Sequence, residues 1–359
     1  MRLRSPPTTT QEATLERIDE LLTTWPGAHL LQSEGWGDVQ AGAGWSPHRI
    51  TVAAGGGRTL PLLLLEERRP ALLARAVGTR LYVPRGPACA PDDDEAWEAA
   101  LTAIATVADG LRVAVVDVEP AGFADDPGSD CVGKRLVSRG WASIDTVQPA
   151  VTALVDLAGD EDELLARMRP KARYNVRLAR RRGVTAGPVA DAAEAAEVLA
   201  RLCAATAERQ QIHQPDARHL RRVLDRVPGS AVVIARVEDE PVAGALIAPF
   251  AGTEIYLYGG STGRHRERQP PALLHLEAMR LAAAAGCHSY DLWGIPPDDD
   301  PAHPWHGLRQ FKLGLGGVER RAVGAWRWTR RPAGARAEQL LAAARRRARA
   351  VRRRGSAQG

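Results

Sequence analysis

The sequence predicts an α/β protein (α+β in layering) built as two tandem domains, each a mixed sheet flanked by helices. Three observations carry this. At 359 residues the chain is long enough for two domains. A pattern of strand, strand, strand, helix, strand runs through the first half and returns in the second. The composition, 45% hydrophobic and 25% charged, suits a chain that buries a core without staples. The expected division is 1–160 for the first domain, 161–330 for the second and 331–359 for a basic tail.

In the first half, residues 12–22 have the spacing of a short amphipathic helix. "GAHLLQSEGWGDVQAGAGWSPHRITVAAG" reads as a helix, a Gly-rich turn and a strand from Arg49 to Ala54. "RTLPLLLLEERR" is a second strand and "ARAVGTRLYVPRGPACA" holds a third. "AAGGGRT", between two strands, reads as a hairpin turn before a phosphate cradle. "DDDEAWEAALTAIATVADGL" opens on acidic residues and continues with apolar spacing of three and four, as an amphipathic helix does. "RVAVVDVEPA" is a buried strand, "GKRLVSRGWASID" a helix and turn, and "QPAVTALVDL" another strand.

In the second half, "GDEDELLARMRPKARYNVRLARRRG" is a long helix or helix pair, acidic at its start and closed by Gly183. "DAAEAAEVLARLCAATAERQQI" and "PDARHLRRVLDRV" are helices. "SAVVIARVEDEPVAGALIAPFAGTEIYLYGGST" is three strands linked by tight turns, and "PPALLHLEAMRLAAAAGCHSYDLWGI" a helix, a Gly turn and a strand. The tail carries seven arginines between Arg345 and Arg354 and reads as a solvated helix or a phosphate-binding segment.

The net charge of +5 is unevenly spread. Residues 1–168 hold 15 Lys/Arg against 25 Asp/Glu (net −10), and residues 169–359 hold 33 against 18 (net +15). A basic C-terminal half fits a polyanionic partner or a solvated Arg-rich surface. Cys89, Cys131, Cys203 and Cys287 show neither CxxC spacing nor clustering with His, so no metal site or disulfide framework is indicated and a cytoplasmic setting is expected. No window is apolar enough for a signal peptide or a spanning helix. P-loop, GxGxxG, HExxH and GxSxG motifs are absent.

Two clusters stand out. In "MRPKARYNVRLARRRGV" the cations Lys171, Arg173, Arg177 and Arg181 crowd a helix with density enough to hold phosphates. In "YLYGGSTGRHRERQPP" and "YDLWGIP" two strands end close together, where open α/β sheets place ligands. Tyr256 and Tyr258 alternate with Leu257 and are expected to face one side. Phe311 and Lys312 follow among glycines whose missing side chains would let backbone approach a ligand. Only three residues of the chain are lysine, Lys134, Lys171 and Lys312, so an amine at 312 marks a place where guanidinium does not serve. A lysine flanked by glycines is expected outside the core.

These segments, with "LLQSEGWGDVQAGAGW", "LYVPRGPA", "VDVEP", "VQPAVTALVDL" and "GLRQFKLGLGG", resemble the Fem (FemABX) family from about Ala28 to about Trp328. The family comprises aminoacyl-tRNA-dependent peptidyltransferases that build peptidoglycan cross-bridges. The resemblance implies two GNAT-like domains, here without the coiled-coil arm of some members. It implies transfer of an amino acid from aminoacyl-tRNA to an acceptor amine, with no metal and no other cofactor. The acceptor is the stem peptide of a peptidoglycan precursor, or, as an alternative, a small amine-bearing metabolite in antibiotic biosynthesis. A non-catalytic RNA-binding protein is the rival from another class. Peripheral membrane contact is compatible with either acceptor.

Residue by residue, Lys312 matches the lysine of the family's "FK" segment that is implicated in catalysis. Arg209 matches a position expected to grip substrate phosphate, and Tyr256, Tyr258 and Phe311 are substrate-binding candidates. The family's W-x-x-x-K lysine is replaced here, since Trp36 is followed by Gln40. Gln40 then stands as the substrate-facing residue, with Arg85 or Arg49 as the compensating cation. The implied tRNA contacts are Lys171, Arg173, Arg177 and Arg181.

Overall fold

A computed structural model describes residues 15–210, 212 and 214–336, so the arginine run of the tail lies outside the described residues. Among the described residues thirteen strands form two sheets. The first sheet has the order β1 (Trp45–Ala53), β2 (Thr59–Glu67), β3 (Thr79–Val83), β4 (Val113–Val118), β13 (Ala325–Thr329) and β5 (Ala142–Ile144). The second runs β12 (Val318–Arg321), β6 (Val151–Asp156), β11 (Ser289–Gly294), β10 (Thr253–Ser261), β9 (Glu240–Phe250), β8 (Ala231–Val237) and β7 (Val184–Pro188). Each sheet is antiparallel except for one parallel pair, β3 with β4 and β10 with β11. The helices are α1 (Leu15–Thr23), α2 (Glu34–Ala41), α3 (Ala71–Val77), α4 (Asp94–Gly110), α5 (Ser129–Ser138), α6 (Glu161–Arg167), α7 (Pro170–Arg181), α8 (Ala192–Gln210), α9 (Ala217–Arg226), α10 (Pro270–Ala284) and α11 (His306–Gly314).

The apolar run "LPLLLL" of β2 is buried on both faces, and its alternation divides it between two cores. Leu62 and Leu64 pack with Trp97, Ile104 and Val116 in the first domain. Leu63 and Leu65 join Trp36 and Tyr82 in a core that includes Leu199, Leu202, Leu220 and Leu246 of the second half. That shared core fixes one sheet against the other. A third core covers the opposite face of the second sheet, beneath α7 and α10.

The sheets also exchange strands. β6 precedes residue 160 yet lies in the second sheet, and β13 returns to the first. Arg327 of β13 grips the buried Asp117 of β4 with two hydrogen bonds, 2.6 and 2.7 Å, and Arg80 adds a third at 2.7 Å. The expected helix or helix pair over the basic cluster is a pair. A capping box of Asp160 and Glu163 starts α6, and Pro170 at the first turn of α7 starts the second helix.

Two expectations need correction. The glycine-bounded segment around Lys312 is a helix, α11, and Lys312 is only 4% exposed. The glycines that follow it are packed against the protein itself. A side chain at Gly317 would meet the Lys312 carbonyl at 2.8 Å and Ala153 at 2.9 Å, and Gly316 sits at φ +94. The second concerns β10, where a bulge falls between Tyr256 and Tyr258. Tyr256 therefore packs into the core under α10, and Tyr258 into the shared core on the other face.

Candidate active site

β10 and β11 run parallel, and over their ends lies a cavity of ≈ 430 Å³. α8 contributes Thr206 and Arg209, β10 contributes Tyr256 to Ser261, α10 contributes His275, β11 contributes Trp293 and α11 contributes Phe311 and Lys312. The structure thus brings Lys312, Arg209, Tyr256, Tyr258 and Phe311 to one cavity.

Lys312 donates a 2.9 Å hydrogen bond to the carbonyl of Gly294 at the end of β11. Its Nζ stands 5.4 Å from the centre of the Tyr256 ring. Burial pulls its pKa from 10.5 down to about 8, against the opposing pull of the Asp291 carboxylate. Tyr256 is held edge-on by His275, with ring centres 4.8 Å apart, and Phe311 lies 5.6 Å from the same imidazole. His275 Nδ1 pairs with the Tyr290 hydroxyl at 3.1 Å. Burial, with the Lys312 charge, holds the pKa of His275 at about 3, so the ring stays neutral. Burial also raises Tyr256, and lifts Tyr258 to about 12, so both phenols keep their protons at neutral pH.

Sequence reasoning misses Asp291, Trp293 and His275, although the first two lie inside "YDLWGIP". Asp291 is buried beside Lys312's strand end and accepts hydrogen bonds from the Thr152 hydroxyl and, at 2.8 Å, from the Trp293 N–H. Burial raises its pKa, and Thr152, Trp293, Arg85 and Lys312 oppose that rise. Trp293 adopts φ +62, a left-handed conformation that strains a bulky residue. The ladder between β11 and β6 breaks between Asp291 and Gly294 to accommodate it.

Arg209 donates to Thr206 Oγ1 and Ser261 Oγ, both at 3.2 Å. Burial, with the neighbouring Arg266 guanidinium, lowers its pKa. Arg85 lies elsewhere. It donates at 2.8 Å to the Pro149 carbonyl and lines a separate cavity of ≈ 380 Å³ that reaches Asp291 from the first domain. Gln40 sits on α2 and lines neither cavity. Arg49 is committed to Asp38 at 2.5 Å and Glu34 at 3.6 Å.

The basic helix α7 lies outside the cavity but abuts α11, where Arg169 donates to Gln310 at 3.1 Å. Along α7, Arg173 donates to the Ala166 carbonyl, Arg181 lies over the Tyr174 ring, and Lys171 and Arg177 are exposed. No helix among the described residues is long and apolar enough to cross a membrane. No cluster of three or more His, Cys, Asp or Glu suited to a metal stands among them.

Residues 170–305 match the model of an acetyltransferase (GNAT) domain. The crystal structure of FemX superposes with a TM-score of 0.81 at 20% identity, covering 92% of this chain and 98% of that one. A tandem GNAT protein from the clavulanic acid biosynthesis pathway gives 0.51 at 15% identity over 90% of this chain and 97% of its own. Lipid II:glycine glycyltransferase of Staphylococcus epidermidis is 24% identical over 372 residues, 83% of this chain and 87% of its own. The chain has the FemX fold and is similar in sequence to lipid II:glycine glycyltransferases. The Staphylococcus aureus relative of the same name is 23% identical with the same coverage. The Fem fold accounts for the two sheets described above as tandem GNAT-like units.

Proposed function

We propose that this chain transfers an amino acid from aminoacyl-tRNA to the amine of a peptidoglycan precursor's stem peptide. The product is an amide, the reaction takes place in the cytoplasm where charged tRNA is made, and no metal or organic cofactor takes part. The observation that carries the reading is Lys312, a buried ammonium with one of its three N–H groups on a neutral carbonyl. Two N–H groups remain for an oxygen that becomes negative during reaction. Relatives named for glycine transfer to lipid II support the acceptor.

Aminoacyl-tRNA is an activated ester. The acceptor nitrogen attacks its carbonyl carbon, a C–N bond forms, and the carbonyl electron pair moves onto oxygen. Collapse breaks the C–O bond to the tRNA ribose, and the proton lost by the amine ends on that ribose hydroxyl. Lys312 stabilises the oxyanion, in a site dry enough to make the charge effective. The neutral His275 and the protonated Tyr256 leave Lys312 as the cation at the cavity floor. Arg209 at the rim holds an anionic part of a substrate, and the exposed cations of α7 hold tRNA phosphates.

The test incubates the protein with a full set of charged tRNAs and a panel of stem-peptide and small-amine acceptors, reading the mass shift. A mass increase of one or more aminoacyl residues on the stem peptide is expected, abolished by ribonuclease. Product that survives ribonuclease in the presence of free amino acid and ATP overturns the tRNA donor. Unaltered consumption of charged tRNA by Lys312→Met overturns the catalytic role.

A further inference from the structure

A cationic patch with no part in transfer lies at one end of the first sheet, around α3. This seven-residue helix, "ALLARAV", buries none of its side chains and has no side-chain hydrogen bond capping its start. Gly78, at φ +81, closes it, and the Gly78 N–H bonds the Ala74 carbonyl at 2.9 Å. Leu72 is 81% exposed, and Ala71 and Ala76 of the same helix are exposed too. So short a helix without a packed face gains little from the core, and the core does not account for its apolar residues.

Four exposed arginines gather at the same end. Arg75 lies on α3. Arg112 precedes β4, and its carbonyl accepts the Thr79 N–H at 3.0 Å, just beyond α3. Arg331 follows β13 and bonds through its backbone N–H to the Ala114 carbonyl at 3.1 Å. Residues 332–336 are helical, and a side chain at Gly334 would stand 2.2 Å from the Val77 carbonyl oxygen, which sets Arg336 beside α3. None of the four guanidiniums has an ion pair or hydrogen bond among the described residues. Carboxylates of the neighbouring segments are already taken, Glu67 by Arg69 at 2.7 Å and Asp109 by Arg330. Residues 1–168 carry a net charge of −10, so the patch runs against the charge of its own domain. Residues 337–359, outside the described ones, continue from Arg336 with seven arginines and a single acid, Glu338.

We infer that this end of the first domain docks on an anionic phospholipid bilayer, with Leu72 entering the headgroup boundary and the arginines around it facing lipid phosphates. An anionic leaflet attracts a polybasic surface, and each arginine close to it adds roughly fivefold to the partition coefficient. Charge alone gives a readily reversed association, and an apolar side chain carried into the interface is the second signal that makes it hold. The patch supplies both together. RNA offers the same phosphates but no apolar layer for Leu72. Neither α3 nor any of the four arginines lines the Lys312 cavity or the cavity at Arg85. The helix given to tRNA, α7, packs against the other sheet. The docking surface therefore goes beyond the transfer reading and does not depend on it.

The experiment sediments the full chain with vesicles of equal parts phosphatidylglycerol and phosphatidylcholine, and with vesicles of phosphatidylcholine alone. Wild type binds the anionic vesicles and not the neutral ones, and added salt weakens the binding. Leu72→Glu, at a position with little packing to lose, lowers the partition coefficient about tenfold, the loss of one leucine's burial. Arg75→Ala/Arg112→Ala lowers it roughly fivefold for each arginine and flattens the salt dependence. Both variants melt with wild type, which separates these losses from a loss of fold. Wild type that stays in solution with anionic vesicles overturns the inference. So does wild-type binding by both variants, which assigns the association to residues 337–359 alone. Weaker binding of tRNA by the arginine variant, with vesicle binding intact, makes the patch an RNA site and overturns it as well. No turnover enters the readout, so this inference and the transfer reading fail separately.

Discussion

Lys312 and Gly294 are joined by a 2.9 Å hydrogen bond from ammonium to backbone carbonyl, and no carboxylate among the described residues bonds the ammonium directly. A lysine buried to this degree is normally neutralised by an acid. Here the bonded partner is neutral and Asp291 supports the charge only from a distance, so the ammonium keeps N–H groups free for a developing oxyanion in the cavity. Lys312→Met keeps the length and removes the charge. Its kcat is expected to fall by about 10²–10³, the range for loss of one oxyanion donor, in a single-turnover assay with charged tRNA. Lys312→Arg recovers little, because the planar guanidinium does not fit the place of a compact ammonium. A near-normal kcat for Lys312→Arg shows that any cation suffices.

The pH dependence has a sign fixed by the same residue. Lys312 titrates at about 8 in the folded protein, below its ordinary 10.5. With the ammonium as the active form, kcat/KM declines as pH rises through about 8, and this limb is absent from the residual activity of Lys312→Met. Between about 8 and 10.5 the unfolded chain binds the extra proton, so stability rises with pH across that window. Below it the destabilisation is fully present, and Lys312→Met therefore melts no lower than wild type at pH 7. A wild-type rate that increases through pH 8 and depends on Lys312 makes the free amine the active form.

Much of this arrangement is legible in the sequence. The strands β1 to β4, β6 and β8 to β11, the helices α4, α5, α8, α9 and α10 and the family blocks follow from periodicity, caps and motif, whereas α3, β5, β7, α11, β12 and β13 go unread and the basic segment reads equally as one helix or a pair. What stays hidden arises from tertiary packing. Glycines around Lys312 suggest an open loop, but Leu315 and Ala153 supply a packed bed for a helix there. Strict alternation places Tyr256 and Tyr258 together, and one bulge separates them, because a single inserted residue turns the side chains that follow to the other face. Asp291 reads as the polar end of a strand. Its importance depends on Thr152, which is 139 positions away in sequence and adjacent only through the β6–β11 pairing.

The basic helix α7 separates into committed and free cations. Arg173 is bonded to the Ala166 carbonyl, Arg180 is paired with Glu161 and Arg181 lies over the Tyr174 ring, whereas Lys171 and Arg177 are exposed with no such contact. Converting these two to alanine is expected to raise the KM for charged tRNA. The slope of log KM against log salt should also fall, by about 1 for each phosphate no longer held. The same measurement on Arg173→Ala should show a smaller change. An unchanged slope in the double variant means that the tRNA phosphates lie elsewhere.

Asp291 links the charge of Lys312 to the strained backbone at Trp293. Its carboxylate favours the Lys312 ammonium, and its Oδ1 accepts the Trp293 N–H and the Thr152 hydroxyl. Asp291→Asn retains an oxygen for both hydrogen bonds and removes the charge. Losing that support lets burial act alone on Lys312, so the high-pH limb of kcat/KM moves to lower pH while the melting temperature changes little. Asp291→Ala removes the oxygen as well. The Trp293 N–H then lacks its partner at a residue held at φ +62, and the fold loses about 1–3 kcal/mol, the magnitude for stranding a buried polar group. Denaturant unfolding and pH–rate profiles on the two variants separate these effects. If Asp291→Asn leaves the limb in place, the carboxylate serves the backbone turn at Trp293 and has no part in setting the charge of Lys312.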